Sequence, residues 1–462
     1  MILQPSTFFK NFISLVLAVK SKVRREQQKN LSELLWLIFG QLVTLLLSVV
    51  SIKFITSIGP KDYGIFILLT SITSICIAVY FGPYEQAYVR FIYDYSDTEI
   101  KRRLFLQRFL WGILKSISYT VGIFLLLLSV AKQLSFQKEY LSLIALAVII
   151  LPLVNQPLTG MLNALRLRRE VAIIQIAEKA LQVCILLVYV FFSMLHFTEV
   201  LWAIGTTFFG FMLVRLYILR LHSVQSSTEG IDAHAGLPQQ MNKEIAHYMG
   251  PFVIWGIFSG LQGNGERWIV QSVLSTSDVG RYGLAFSLIS ATVIMTYNIL
   301  SQFFTPLIFE SFSAKNEDDH SQGRKMIAIF RWVVVLTVIL FALTYGLLGD
   351  SIINLVSTKD YHVGGWFLFT LTMGIGLFYI AQVETIVGLS LRRSNIYLMP
   401  KILASTCSII VYLLGCYYAG LLGTSAAVFL VNFGYLISVI MLNRKLINES
   451  SAKLETMRVT TI

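Results

Sequence analysis

The sequence has 462 residues, of which 56% are hydrophobic and only 13% are charged, and its mean hydropathy is +0.70. A soluble protein carries about 25% charged residues, so this chain lacks the polar surface that water requires. The composition therefore excludes a soluble globular protein and indicates one that crosses a membrane many times.

Apolar stretches of about 20 or more residues recur along the chain, each long enough to cross a bilayer as a helix. The sequence predicts twelve such spans: 33–57, 64–84, 106–130, 140–163, 171–194, 198–219, 247–271, 280–304, 327–348, 364–387, 397–418 and 421–442. The ten-residue alternation of apolar and polar residues that is typical of an outer-membrane β-barrel is absent from the sequence. We therefore predict an all-α integral membrane protein.

Positive charge predicts the topology, because Lys and Arg collect in the short cytoplasmic loops of membrane proteins. With both termini placed in the cytoplasm, 28 of the 37 Lys and Arg fall in inner segments, five in outer loops and four within spans. This count assigns cations close to the end of a span to the adjoining segment: Arg108, Arg215, Arg331 and Lys401 to the inner side and Arg281 to the outer side. The formal net charge of +12 is then a signal of topology and does not indicate nucleic acid.

The spans divide into two sets of six, separated by the longest polar stretch between spans. The predicted organisation is an amphipathic, basic cytoplasmic segment, a first six-helix bundle, a cytoplasmic linker, a second six-helix bundle and a cytoplasmic tail: 1–32, 33–220, 221–246, 247–443 and 444–462. Because six is even, both bundles start in the cytoplasm. Any repeat between them is therefore parallel, about a pseudo-two-fold axis along the membrane normal.

Two pairs of short phrases support such a repeat. SIGPKDYGIF (57–66) is similar to STSDVGRYGLAF (275–286), with Gly64 falling on Gly280 at an offset of 216 residues. LRLRRE after the fourth span is similar to LSLRRS after the tenth at an offset of 224 residues. We interpret the first pair as turns that close outer ends of helical hairpins, with Asp62 as the N-cap of the second span.

Three stretches, KFITSIGPKDYGIFILLTSI, GPYEQAYVRF and GERWIVQSVLSTSDVGRYGLAFSL, resemble the polysaccharide flippases, which export lipid-linked O-antigen and exopolysaccharide repeat units. That family belongs to the multidrug/oligosaccharidyl-lipid/polysaccharide exporter superfamily. The resemblance covers roughly 33–443 and rests on turn and topology residues. It implies two bundles facing a central cavity, alternating access, the cytoplasmic membrane of a bacterium, and a polyprenyl-pyrophosphate-linked oligosaccharide as substrate. A polysaccharide polymerase and a chain-length regulator are the candidate protein partners, beside membrane lipid.

Four cations within spans are the candidate substrate-binding residues: Lys53, Lys115, Lys179 and Arg267. A charge in the hydrocarbon core costs roughly 2.5–3.5 kcal/mol on insertion scales, and such groups usually face a cavity or a partner. A cavity lined by these cations would suit an anionic substrate, because Arg can hold phosphate oxygens by paired hydrogen bonds and Lys acts as a point charge. Lys53 could instead extend to the outer surface, and Glu266–Arg267, which matches an Asp–Arg pair in the family, could belong to the rim.

Three carboxylates are candidates for ion coupling, with H⁺ or Na⁺ as the ion: Glu178, Glu266 and Glu384. Glu178 and Lys179 could alternatively form a structural ion pair with another helix, and Glu384 could be a surface residue. No nucleotide-binding GxxxxGK[ST] motif occurs in the sequence, and no metal site or other cofactor is predicted.

The seventh span contains SGLQGNGERW, an unusual stretch for an apolar helix. Gly260, Gly263 and Gly265, together with Pro251, predict a bend or partial unwinding that lines the cavity. Close helix packing through small residues is the alternative.

Two other functions compete with the flippase. One is a cation-coupled multidrug-type antiporter of the same superfamily, which would favour net-negative membrane residues. The other is a membrane polysaccharide polymerase or ligase, which would resemble a chain with one large catalytic outer loop. Since the longest predicted outer loop is only 349–363, we predict that the protein is not an enzyme.

Overall fold

A computed structural model describes residues 25–91, 105, 109–112, 115, 118, 150–165, 167–192, 195–224, 239–313, 317–391 and 393–460. Eight helical segments within these ranges are long and apolar enough to cross a membrane. The third predicted span, much of the fourth, residues 1–24 of the amphipathic segment and 225–238 of the linker lie largely or wholly outside the described residues.

The first half of the chain forms six described helices. They are α1 Arg25–Thr56, α2 Pro60–Cys76, α3 Gly82–Phe91, α4 Leu151–Ala164, α5 Arg168–Phe191 and α6 Phe197–Val224. A π-helical turn at Ile77–Phe81 joins α2 to α3, so the two together form the second span.

The second half forms six more described helices. They are α7 Gln239–Val273, α8 Thr276–Ile289, α9 Met295–Ser313, α10 Glu317–Val356, α11 Gly365–Ser390 and α12 Leu398–Thr460. A π-helical turn at Ser290–Ile294 joins α8 to α9, in the place that Ile77–Phe81 takes in the first half. The helix α12 contains both of the last two predicted spans, because its backbone turns at Ala419 and at Gly420, whose φ of 56° suits a residue without a Cβ.

The two repeated phrases begin their helices differently. The prediction that Asp62 is an N-cap was wrong: α2 starts at Pro60 after Gly59, and Asp62 lies in the first turn, where a carboxylate suits the helix dipole. In the second copy Ser275 is the cap. Its Oγ accepts from the Asp278 backbone N–H at 3.2 Å and donates to the Asp278 carboxylate at 2.6 Å.

The repeat is also visible as a contact between the halves. A Cβ placed on Gly64 would lie 2.0 Å from the Thr276 carbonyl oxygen, and a Cβ placed on Gly280 would lie 2.0 Å from the Pro60 carbonyl oxygen. Both pairs obey the offset of 216 residues, so each copy contacts the other through the same positions. The helices α2 and α8 therefore cross at the parallel pseudo-two-fold axis, and only two residues without side chains allow so close an approach.

Candidate functional site

One end of the interface between the halves is closed, and we call it the sealed end; it comprises the Gly64–Gly280 crossing and the contacts around Thr56. The Thr56 hydroxyl donates to the Val356 carbonyl at 3.3 Å, and the Tyr361 hydroxyl donates to the Thr56 carbonyl at 3.0 Å. Both Thr56 and Tyr361 are fully buried. Burial raises the pKa of Tyr361 above its ordinary value, so the residue remains a neutral hydroxyl donor.

The opposite end of the interface contains a cavity of 480 Å³. Its lining comes from both halves and includes Tyr80, Tyr84, Phe109, Ile245, Met249 and Val253. Tyr80 and Tyr84 lie roughly 24–30 Å along the helix axis from Gly64, at 1.5 Å per residue. The halves are thus in direct contact at the sealed end, and at the other end a cavity lies between them beside contacts such as that of Phe91 with Tyr248, whose ring centroids are 5.6 Å apart.

Arg267 and Glu266 lie together near the C-terminal end of α7, and both are buried. The Arg267 Nε is 4.0 Å from a Glu266 oxygen, its Nη1 donates to the Asn264 side chain at 3.1 Å, and its guanidinium lies 4.3 Å from the centroid of the Phe286 ring. Among the described residues, Glu266 Oε2 and Arg267 Nε have no hydrogen-bond partner. The next residue, Trp268, donates to Ser71 of α2 at 3.0 Å, which places this pair beside the interface between the halves.

Glu178 makes a buried ion pair with another helix, as one of the two sequence interpretations expected. Arg215 of α6 donates to the Glu178 carboxylate at 2.5 Å and to the Asn155 side chain of α4 at 2.6 Å. The three side chains are all buried, so the pair ties α4, α5 and α6 together. Lys179 points elsewhere and donates to Gln182 of the same helix at 2.9 Å.

Glu384 also forms an ion pair with an arginine, in the second half of the chain. It is buried and is not a surface residue. Arg331 of α10 donates to its carboxylate at 2.8 Å, and Asn443 of α12 donates to it at 3.2 Å and to its backbone carbonyl at 2.8 Å. The Tyr397 hydroxyl donates to the Asn443 side chain at 2.5 Å and accepts from the Gly388 N–H at 2.9 Å. The network connects three helices of the second half.

The remaining predicted cations occupy separate settings. Lys53 is exposed in the last turn of α1, and Lys115 is exposed as well. Neither of them, nor Lys179 or Arg267, lines the cavity. The four predicted cations lie on different helices and face different neighbours, and the cavity between the halves is lined by other residues.

The glycines of α7 lie in continuous helix. The helix runs unbroken from Gln239 to Val273 with Pro251 inside it, so the predicted unwinding at Gly260, Gly263 and Gly265 is absent. Gly260 packs on Ile75 of α2, which matches the alternative of close helix packing, whereas a Cβ on Gly263 or Gly265 would meet no atom within 4 Å.

Sequence reasoning missed the most deeply buried lysine that the structure describes. Lys401 was counted with an inner loop, yet it is 1% exposed. Its Nζ donates to Gln262 of α7 at 2.7 Å and lies 4.6, 5.5 and 5.6 Å from the ring centroids of Phe378, Tyr435 and Trp255. Arg215 was misplaced in the same way. A charge only a few residues from the predicted end of a span cannot be assigned to either side by hydropathy alone.

Comparison with solved structures establishes the fold. The chain matches an inward-facing multidrug resistance MATE family transporter of the MOP superfamily, with a TM-score of 0.69, 11% identity and coverage of 88% of this chain and 95% of the other. It matches a MATE transporter from Vibrio cholerae with a TM-score of 0.63, 14% identity and coverage of 91% and 96%. It also matches a MOP superfamily transporter from Pyrococcus furiosus, for which reverse polarity of the binding pocket is said to suggest a different function, with a TM-score of 0.58, 10% identity and coverage of 90% and 95%.

No protein-family model matches the chain, and no curated protein sequence is similar to it at a significant level. Identity this low shows the fold alone. The predicted fold class is confirmed: the protein is a multi-pass, all-α membrane protein with the fold of the MOP superfamily, which has twelve helices in two bundles.

Proposed function

We propose that this protein is an alternating-access transporter. Its substrate would be a polyprenyl-(pyro)phosphate-linked oligosaccharide repeat unit, moved from the cytoplasmic to the outer leaflet of the cytoplasmic membrane for O-antigen, capsule or exopolysaccharide biosynthesis. The observation that carries the proposal is the asymmetry of the interface between the halves, which is sealed at Gly64–Gly280 and contains a cavity at the other end.

This asymmetry is what a carrier in one of its two states requires. The sealed end consists mainly of packing between the separate helices α2 and α8, including the Tyr63–Ser287 hydrogen bond at 3.2 Å, so the halves can part there without breaking either helix. The topology predicted from Lys and Arg places the sealed end outside and the cavity inside. The conformation would then be the one that receives a substrate from the cytoplasmic leaflet.

The buried charges favour an anionic substrate. Glu178 and Glu384 are occupied by arginines, and Glu266 lies beside Arg267. Lys401 is buried and forms no ion pair with any described carboxylate. Because burying an unpaired cation is costly, its retention favours a ligand of opposite charge.

A cation-coupled multidrug-type antiporter is the second candidate function. It is favoured by the fold comparisons, since solved structures with this fold include multidrug resistance transporters. The transporter from Pyrococcus furiosus shows that pocket polarity is not uniform among proteins of the fold, so the fold alone does not choose between the two candidates.

The test is reconstitution of the full chain into liposomes with two probes: a fluorescent polyprenyl-pyrophosphate-linked oligosaccharide and a cationic dye. We expect leaflet exchange of the first and no transport of the second. Ala246→Trp, which fills the cavity, should abolish exchange, whereas Leu340→Trp on an exposed face of α10 should not. Transport of the dye alone would favour the antiporter, and transport of neither probe would contradict both candidates.

A further inference from the structure

The polar cluster around Lys401 in the second half has the composition of an anion site. We infer that Lys401 and Ser405 form a phosphate-binding site that takes the (pyro)phosphate group of the transported lipid. This inference rests on the proposed function and assigns one of its contacts to a specific place in α12.

Two donors in this cluster converge on one acceptor. The Gln262 side-chain oxygen accepts from the Lys401 Nζ at 2.7 Å and from the Ser405 Oγ at 3.2 Å. A phosphate oxygen in the position of that amide oxygen would receive the same two hydrogen bonds. The exchange is favourable, because an ionised acceptor forms stronger hydrogen bonds with an ammonium group than a neutral amide does.

The surroundings of Lys401 contain aromatic rings and no carboxylate among the described residues. Three aromatic rings lie within 5.6 Å of the Nζ, and an aromatic face attracts a cation while leaving its net charge in place. Arg215, another buried cation, has the Glu178 carboxylate at 2.5 Å. The chain thus pairs Arg215 with a carboxylate and gives Lys401 none among the described residues, so a bound anion would supply the missing partner.

Further polar groups extend the cluster across the second half. The Gln262 amide nitrogen donates to Asn432 at 2.8 Å, and the Tyr412 hydroxyl donates to the Gln262 backbone carbonyl at 3.3 Å. Contacts with α12 therefore hold Gln262 in place while its side-chain oxygen accepts the hydrogen bond from Lys401. If the Gln262 side chain turned aside, the cluster would present donors from several side chains to one incoming anion.

The helix α7 lies between the site and the cavity. Val253 lines the cavity, and Trp255, two residues further along the same helix, contacts Lys401. A movement of α7 that enlarges the cavity would therefore also move one wall of the lysine site. Residues two apart on an α-helix point about 200° apart, so the lysine site lies on the face of α7 away from the cavity, and a lipid phosphate would reach it only when α7 moves.

The experiment compares binding of geranylgeranyl pyrophosphate and of geranylgeraniol, its uncharged alcohol, to the purified full chain by titration calorimetry. We expect Lys401→Met and Lys401→Gln to weaken binding of the pyrophosphate at least tenfold and to leave binding of the alcohol unchanged. Lys401→Arg should stay within about threefold of the wild type, since arginine keeps the positive charge and donates to phosphate oxygens. Lys445→Met removes the same charge from an exposed position of α12 and is the matched control.

Each outcome decides the inference. If the wild type binds the pyrophosphate and both neutral variants bind it equally well, the phosphate site is elsewhere and only this inference fails. If the wild type does not bind the pyrophosphate in preference to the alcohol, the proposed function fails with it. Two neutral variants of different polarity are used so that failure of one to fold leaves the other, and a buried neutral side chain is expected to be tolerated.

Discussion

The crossing of α2 and α8 gives the sharpest prediction about conformational change. Gly64→Ala would place a Cβ 2.0 Å from the Thr276 carbonyl oxygen, where ordinary contact begins at 3.4 Å, so the helices must separate by about 1.4 Å. Gly280→Ala creates the equivalent clash with Pro60. Overpacking of this kind costs about 1–3 kcal/mol. Because the cost falls only on the conformation in which this end is sealed, each variant should shift the population towards the open conformation by about 5- to 150-fold.

The assay is the distance between spin labels placed at Lys61 and Lys359, which are exposed in the two halves at the sealed end, in a background without the native cysteines. Both variants should lengthen the distance by similar amounts, because the two contacts are related by the repeat. Gly434→Ala, where an added Cβ meets no atom within 4 Å, should leave it unchanged. An unchanged distance in both Gly64→Ala and Gly280→Ala would refute the idea that this contact holds the end closed.

Three further outcomes are expected. Glu178→Gln should lower the free energy of unfolding in detergent by about 3–5 kcal/mol, because it leaves Arg215 buried without its partner. Adding Arg215→Met should recover most of the loss. A double variant as unstable as the single one would contradict this. Tyr397→Phe should lower the free energy of unfolding by about 1–3 kcal/mol in the same measurement, because the Gly388 N–H and the Asn443 side chain lose their buried partner. An unchanged free energy would show that water replaces the hydroxyl. A cysteine at Lys61 should react with an impermeant reagent added outside cells and one at Arg168 should not; the reverse pattern would overturn the predicted topology.

The membrane-spanning helices could be predicted from local sequence. The predicted spans 171–194 and 364–387 correspond to α5 Arg168–Phe191 and α11 Gly365–Ser390 within about three residues at each end. The helix starts were less accurate, as Asp62 shows, because the capping residue depends on where the chain turns and not on composition.

The site residues were predicted with less success. The sequence identified Glu178 and Glu384 as unusual, but it could not find their partners, since Arg215 and Arg331 lie on other helices. It assigned Lys401 to a loop, although that side chain is enclosed by aromatic rings from three helices. Pairing between helices depends on the rotation of each helix about its axis and on its depth, which a single apolar segment does not specify.

The sequence by itself determined that the chain crosses a membrane as helices and that its two halves repeat. Both follow from local requirements: each span must satisfy its own backbone hydrogen bonds in lipid, and each hairpin needs its turn residues. Only the tertiary structure decided that the repeated glycines Gly64 and Gly280 contact each other, and that Lys401 is buried without a carboxylate among the described residues. Those facts arise from packing between separate helices, where a difference of an ångström or one turn of helix decides which side chains meet.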